Sequence, residues 1–237
     1  MQADIKDRIL YEDSEILICR KPAGAAVQTK NFRQKDIYSE LMNYVAAKGE
    51  KPYIGIIHRL DQPVEGVMVF AKTKEAAASL NKQMQQKSFG KHYLAVVNGT
   101  LPSAKGTLEN YLLKDGSSNT SAVVSDKTAG AKRAALTYEV LAKQEGKSLV
   151  RIQLETGRHH QIRVQMAHAG CPLVGDKKYG GVDGNKQKMA APDSEAGEVP
   201  LALCSVRISF LHPGTGKKME FAIEPSGEAF SCFTGSV

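Results

Sequence analysis

His58-Arg59-Leu60-Asp61, followed closely by the apolar run Val67-Met68-Val69-Phe70-Ala71, is the stretch from which the rest of this 237-residue chain can be read. A short apolar run entered through Pro63 and Gly66 predicts a buried strand behind a constrained bend. Asp61 then stands at the mouth of that strand, directly after a basic pair. A carboxylate among cations stays ionised, and such a group can attack as a nucleophile or steer a proton. A plainer role is open to it as well, as a cap or an acceptor for local backbone N–H groups.

A second polar cluster, Thr156-Gly157-Arg158-His159-His160-Gln161-Ile162-Arg163, falls where a strand gives way to a helix. Arg163 is the natural partner for Asp61, because a bidentate guanidinium–carboxylate pair would fix the acid and keep it charged. A helix N-terminus at this junction would attract phosphate. His159, His160 and His168 lack the spacing of a zinc site, so no metal is expected. Tyr93 sits within Lys91-His92-Tyr93-Leu94-Ala95-Val96-Val97, an apolar strand in which a packed tyrosine and a base-stacking or proton-accepting one read alike.

Outward from these clusters the pattern is strand-rich. Ile16 to Cys19 is a short apolar run broken by Pro22-Ala23-Gly24. A helix is expected from Ile37 to about Lys48, capped by Asp36 and ended by Gly49, and another from Lys74 to Gln86, capped by Thr73. Strands fit Lys91 to Asn98, Ala135 to Leu141, Leu149 to Leu154, Leu201 to Phe210, and Met219 to Ile223. A short helix fits His160 to Ala169. Lys114 to Ala134 and Gly180 to Pro200 read as polar loops, plausible substrate-facing insertions. The irregular order of strands and helices predicts an α+β fold with a mixed, mostly antiparallel sheet, in a single domain over residues 1–237.

The composition is that of an ordinary globular protein, with 42% apolar and 24% charged residues. The formal net charge of +7 favours polyanionic partners. The four cysteines are scattered without a Cys-x-x-Cys pair, which excludes a zinc knuckle and fits free thiols in a reducing compartment. The segment from Met1 to Arg8 lacks the apolar core of a signal peptide, and no apolar run approaches the roughly 20 residues a membrane span needs. A cytoplasmic protein without membrane contact is expected. There is no Walker pattern and no G-x-G-x-x-G.

Five strings in collinear order give the chain a resemblance to the RluA-type pseudouridine synthases: Tyr11-Glu12-Asp13 through Lys21-Pro22-Ala23-Gly24; His58-Arg59-Leu60-Asp61 with Gly66 and Phe70-Ala71-Lys72; Lys91 through Gly99; Leu154 to Arg163 with Gly170 to Asp176 and Tyr179-Gly180; and His212-Pro213. The resemblance implies isomerisation of a uridine already in ribosomal or transfer RNA, by a monomer without cofactor or metal. Asp61 would be the essential carboxylate, Tyr93 would pack on the base and Arg163 would pair with Asp61. Arg59 would fill the gap left by an extruded nucleotide, a step that costs roughly a few kcal/mol of unstacking. His58, Arg158, His160 and Gln161 would join Arg59 in contacting RNA. Val64-Glu65 and Gln165 depart from the family pattern, and altered RNA contacts are expected there. A front RNA-binding domain of the S4 type is expected to be absent. Two other readings stay on the page: a non-catalytic RNA binder on the same scaffold, and a nucleic-acid hydrolase. Intact Asp61, Tyr93 and Arg163 favour the enzyme over the binder, and the lack of a second acid or metal cluster counts against the hydrolase.

Overall fold

A computed structural model describes residues 4–31, 33–49, 51–180 and 199–233. In chain order the elements are α1 (Ile5–Arg8), β1 (Ile9–Glu12), β2 (Ile16–Lys21), α2 (Ile37–Ala47), β3 (Gly55–Ile56), β4 (Glu65–Ala71), α3 (Lys74–Gln85) and β5 (Gly90–Asn98). There follow β6 (Lys105–Asp115), β7 (Thr120–Val124), β8 (Lys132–Gln144), β9 (Lys147–Leu154), α4 (Gln161–His168), β10 (Leu203–Leu211), β11 (Lys218–Ala222) and α5 (Glu228–Ser231). The α+β class expected from the sequence is the one observed.

The chain divides into two compact units, Met1–Lys91 with Cys204–Pro225, and His92–Leu203 with Ser226–Val237. In the first, β4 is buried along its whole length. It lies antiparallel to β2 and to β3 and parallel to β10, which in turn pairs with β11. Ile16, Ile18, Val67, Val69, Leu80, Phe89, Ile208 and Phe210 form its core. The parallel ladder is very close at its start: a Cβ on Gly66 would lie 2.4 Å from the Cβ of its partner Ser205, so only glycine fits. The helix starts are where the polar caps predict them. Asp36 accepts from the Ser39 N–H at 2.7 Å, and Thr73 accepts from the Ala76 N–H at 3.0 Å.

The second unit is an antiparallel sheet in the order β5-β9-β8-β6-β7. Here the expectation for Lys114 to Ala134 is corrected. Those residues complete β6, form β7 and begin β8, the polar run Gly116-Ser117-Ser118-Asn119 is a four-residue hairpin turn, and only residues 125–131 form a longer loop. Asp115 organises the turn by accepting from the Ser117 N–H and from the hydroxyls of Ser117 and Ser118, and Asn119 takes the positive φ of 51°. The other expected loop falls almost wholly on residues 181–198, outside those described.

Candidate active site

In the first unit, the segment between β3 and β4 alternates in burial. His58 and Leu60 are buried, Arg59 is exposed, and Asp61 is half-buried. Two anchors fix this pattern. His58 turns inward and its Nε2 accepts the Val69 N–H of β4 at 3.3 Å, with the ring beside Phe89. Burial, and then the Lys91 charge, push its pKa down to about 3, so the ring is neutral. The ring proton is on Nδ1, which has no hydrogen-bond partner among the described residues.

The second anchor is Lys21, the last residue of β2 and completely buried. Its Nζ donates to the carbonyl oxygens of Pro22 at 3.0 Å, Gln62 at 3.0 Å and Val64 at 2.6 Å. Three donors on one ammonium thus meet three backbone acceptors, two of them in the Asp61 bend. The Gly24 N–H donates to the Gln62 carbonyl and the Gln62 side chain returns a bond to the Gly24 carbonyl. Within the bend the Val64 N–H closes onto the Asp61 carbonyl at 3.0 Å. Burial draws the Lys21 pKa down to about 8, against the opposing pull of the Asp61 and Glu65 carboxylates. Arg59, exposed, donates to the Gln28 side chain at 3.2 Å.

In the second unit, the turn from β9 into α4 is knotted around Gln161. Its Oε1 accepts from the Thr156 hydroxyl and the Arg158 N–H, and its Nε2 donates to the Ala135 carbonyl. His160 enters the helix with φ 53°, a left-handed conformation in which histidine is several-fold enriched over most residues. Arg163, one turn further, is buried and makes a bidentate pair with Asp176. Nε lies 2.8 Å from Oδ2 and Nη2 lies 2.7 Å from Oδ1, and the Asp176 side chain is fully buried. The Arg163 guanidinium carbon also lies 5.1 Å from the centre of the Tyr179 ring. Tyr93 is buried in β5, opposite Ile152 of β9.

These two constellations stand at the positions of the sequence motifs. The model for RNA pseudouridylate synthases matches residues 15–168. The chain belongs to that family. It is 41% identical over 179 residues to ribosomal large subunit pseudouridine synthase D of Pseudomonas aeruginosa, a match covering 75% of this chain and 55% of the relative. It is 34% identical over 217 residues to ribosomal large subunit pseudouridine synthase C of Salmonella typhimurium, covering 92% of this chain and 66% of that one. The chain therefore spans between about half and two thirds of the length of these curated relatives. Among solved structures, human RNA pseudouridylate synthase domain containing 4 shares the fold, with a TM-score of 0.76 at 23% identity over 94% of this chain and 90% of that one.

Within a pseudouridylate synthase, several expected RNA contacts need reassignment. His58, His160 and Gln161 are buried and each makes a hydrogen bond inside the protein, so their visible work is to shape the Asp61 and Arg163 turns. Arg59 and Arg158 remain exposed; Arg158 also braces the Arg133 carbonyl through Nε at 2.9 Å. Asp176 takes the Nε–Nη2 edge of the Arg163 guanidinium. The departures from the family pattern are interior too. Glu65 is buried 3.4 Å from Arg20, and Gln165 donates from Nε2 to the Leu108 carbonyl, the Asn110 side chain and the Ala134 carbonyl. Both side chains are engaged within the protein. Lys21, Asp176 and Tyr179 were present in the motif strings without a role. The one local signal was Lys21, a charge closing an apolar strand. Among the described residues no three His, Cys, Asp or Glu side chains gather as a metal site, and no helix is long and apolar enough to cross a membrane.

Proposed function

We propose that this chain converts a uridine in RNA to pseudouridine, with Asp61 as the reacting carboxylate. The observation that carries the reading is the anchored bend: Lys21 and His58 hold the backbone on both sides of Asp61, while the Asp61 side chain stays partly open to solvent. A loop held this firmly presents its acid in one position, which is what covalent or proton-transfer chemistry at a glycosidic bond requires. Tyr93 packs on the base and Arg163 supplies the cation of the reaction. The exposed guanidinium of Arg59 takes the place of the extruded nucleotide, with Arg158 on phosphate. The relatives are named for the large ribosomal subunit, so ribosomal RNA is the substrate class assigned here. The reaction needs no cofactor.

Asp61→Asn tests this. Pseudouridine formation on a large-subunit ribosomal RNA transcript should be abolished, while RNA affinity stays within about twofold, because only the chemical step needs the charge. Product formed at the wild-type rate would remove Asp61 from the chemistry.

A further inference from the structure

Segment 176–179 joins Arg163 to the β6–β7 hairpin, and Tyr179 is its joint. At one end Asp176 holds the Arg163 guanidinium in two bonds, and its Oδ1 also accepts the backbone N–H groups of Lys178 and Tyr179. Arg163 and the turn that carries Tyr179 thus share one carboxylate. At the other end the Tyr179 hydroxyl accepts the Ser121 N–H at 2.9 Å and lies 2.7 Å from His160 Nδ1. Burial and the neighbouring Arg163 charge keep His160 neutral, so its Nδ1 can take the phenol proton while the phenol oxygen takes the amide.

Ser121 is a telling place for that bond. β7 is the outer strand and pairs only with β6 among the described ladders of its sheet. An outward N–H on an edge strand is a group a hairpin normally leaves to water. Here a side chain from a distant turn takes it. Two further bonds grip the same end of β7: the Ser121 hydroxyl lies 2.9 Å from His159 Nδ1, and Lys178 Nζ donates to the Asn119 carbonyl at 2.9 Å. The Tyr179 ring meanwhile packs on Leu112, Ala134 and Val164.

We propose that Tyr179 is a positioning residue that couples the β6–β7 hairpin to Arg163, so that RNA bound along the hairpin sets how firmly the guanidinium is held. The RNA part of the proposal rests on the function assigned above; the coupling does not. The hairpin is suited to the task. A two-stranded ribbon is marginal without support, so its set depends on a few bonds at its base. Lys114 and Lys178, whose charges both act on His159, give that base the sign an RNA backbone requires.

The test uses the full chain and two variants that cut the same bond from opposite sides. Tyr179→Phe keeps the ring under Arg163 and removes the hydroxyl. Ser121→Pro removes the amide from an edge position where proline is tolerated, and with it the hydroxyl that meets His159, for which Ser121→Ala is the control. The readouts are amide hydrogen exchange across β7, exchange of the Arg163 Nε–H by NMR, and steady-state kinetics on a large-subunit ribosomal RNA transcript. Coupling predicts that each variant speeds exchange of the Arg163 Nε–H by about tenfold, although neither removes a group that contacts Arg163. It also predicts that kcat falls by about tenfold with KM within about twofold, the size of one lost hydrogen bond expressed at the reacting centre. A purely structural tyrosine would loosen β7 and lower the melting temperature while leaving Arg163 exchange and kcat unchanged, and that result overturns the proposal. Wild-type protein that forms no pseudouridine would sink the assigned reaction instead, with the Arg163 exchange still deciding the coupling.

Discussion

Asp61 and Arg163 are both charged, both immobilised, and held by opposite means. The acid is positioned through its main chain: Lys21 and His58 bind backbone groups around it and leave its side chain half-buried. The base is positioned through its side chain: Asp176 binds the guanidinium itself. In the first arrangement the supporting ammonium is buried against the loop's carbonyls, apart from the half-buried acid. In the second, the support is the ion pair itself. Damage should therefore spread differently in the two units. Loss of a support near Asp61 loosens a loop, whereas loss of one member at Arg163 strands a buried ion.

The largest expected effect follows from the stranded ion. Arg163→Met leaves the Asp176 carboxylate, fully buried, with two backbone N–H groups and without its arginine. Breaking a buried pair from one side costs about 3–5 kcal/mol. Denaturant unfolding should show a loss of that size, alongside loss of activity. Asp176→Asn leaves the Arg163 guanidinium without the Asp176 charge in turn, but should cost less, because Asn Oδ1 can still accept one guanidinium N–H and the longer arginine is not fully buried. If the two variants are equally stable, Arg163 is not held by the charge of its partner and the contrast between the units fails.

Lys21→Met probes the other mode. Three carbonyl oxygens lose the ammonium, those of Gln62 and Pro22 keeping a backbone N–H and that of Val64 most affected, at a cost of about 1–3 kcal/mol for an unsatisfied buried group, partly offset by removing a buried ammonium. The pH dependence separates these contributions. Lys21 titrates at about 8 in the native chain and at about 10.5 when unfolded. Between those values the unfolded chain keeps a proton the native chain has released, so rising pH favours the native state there. Wild type should gain stability relative to Lys21→Met from pH 8 to 10.5. Parallel curves would mean that Lys21 is not a buried cation at neutral pH.

What the sequence disclosed follows the same division. Segments with a clear period could be read directly: the apolar run of β4, the Asp36 and Thr73 caps, and the Gly170 stop after α4 lie where the residues put them. The β6–β7 hairpin could not, because its faces are half-exposed and its turn is built from Gly, Ser and Asn, which read as an open loop. The charged residues could be given a role as motif members, whereas their holders stood in the same strings without one. Lys21 is 40 positions from Asp61, and Asp176 is 13 from Arg163, so neither pairing leaves a local periodic trace. A lysine ending a strand reads as solvated until the fold closes three carbonyls over it. His58 and Gln161 misled in the opposite direction, since polar residues beside a reactive group suggest contact with substrate when their bonds run inward.

The smallest effect tests a likeness beneath the contrast. In each unit a buried, neutral histidine lies three residues before the charged side chain: His58 before Asp61 and His160 before Arg163. Burial is the first cause in both, and both titrate at about 3, against 6.5 for an open imidazole. Below pH 6.5 the unfolded chain takes up protons that the native rings refuse, so native stability declines as pH falls from 6.5 towards 3. Each ring contributes about 1.4 kcal/mol per pH unit across that window. His58→Gln keeps an acceptor for the Val69 N–H, and His160→Asn suits the left-handed φ at that position. Each variant should flatten the acid limb of the stability curve by one proton, and the double variant by two, as read from urea midpoints between pH 6.5 and 4. A steep limb surviving in the double variant would show that these rings charge freely in the native state, and a histidine that charges there cannot accept the Val69 amide or the Tyr179 hydroxyl on which the two turns depend.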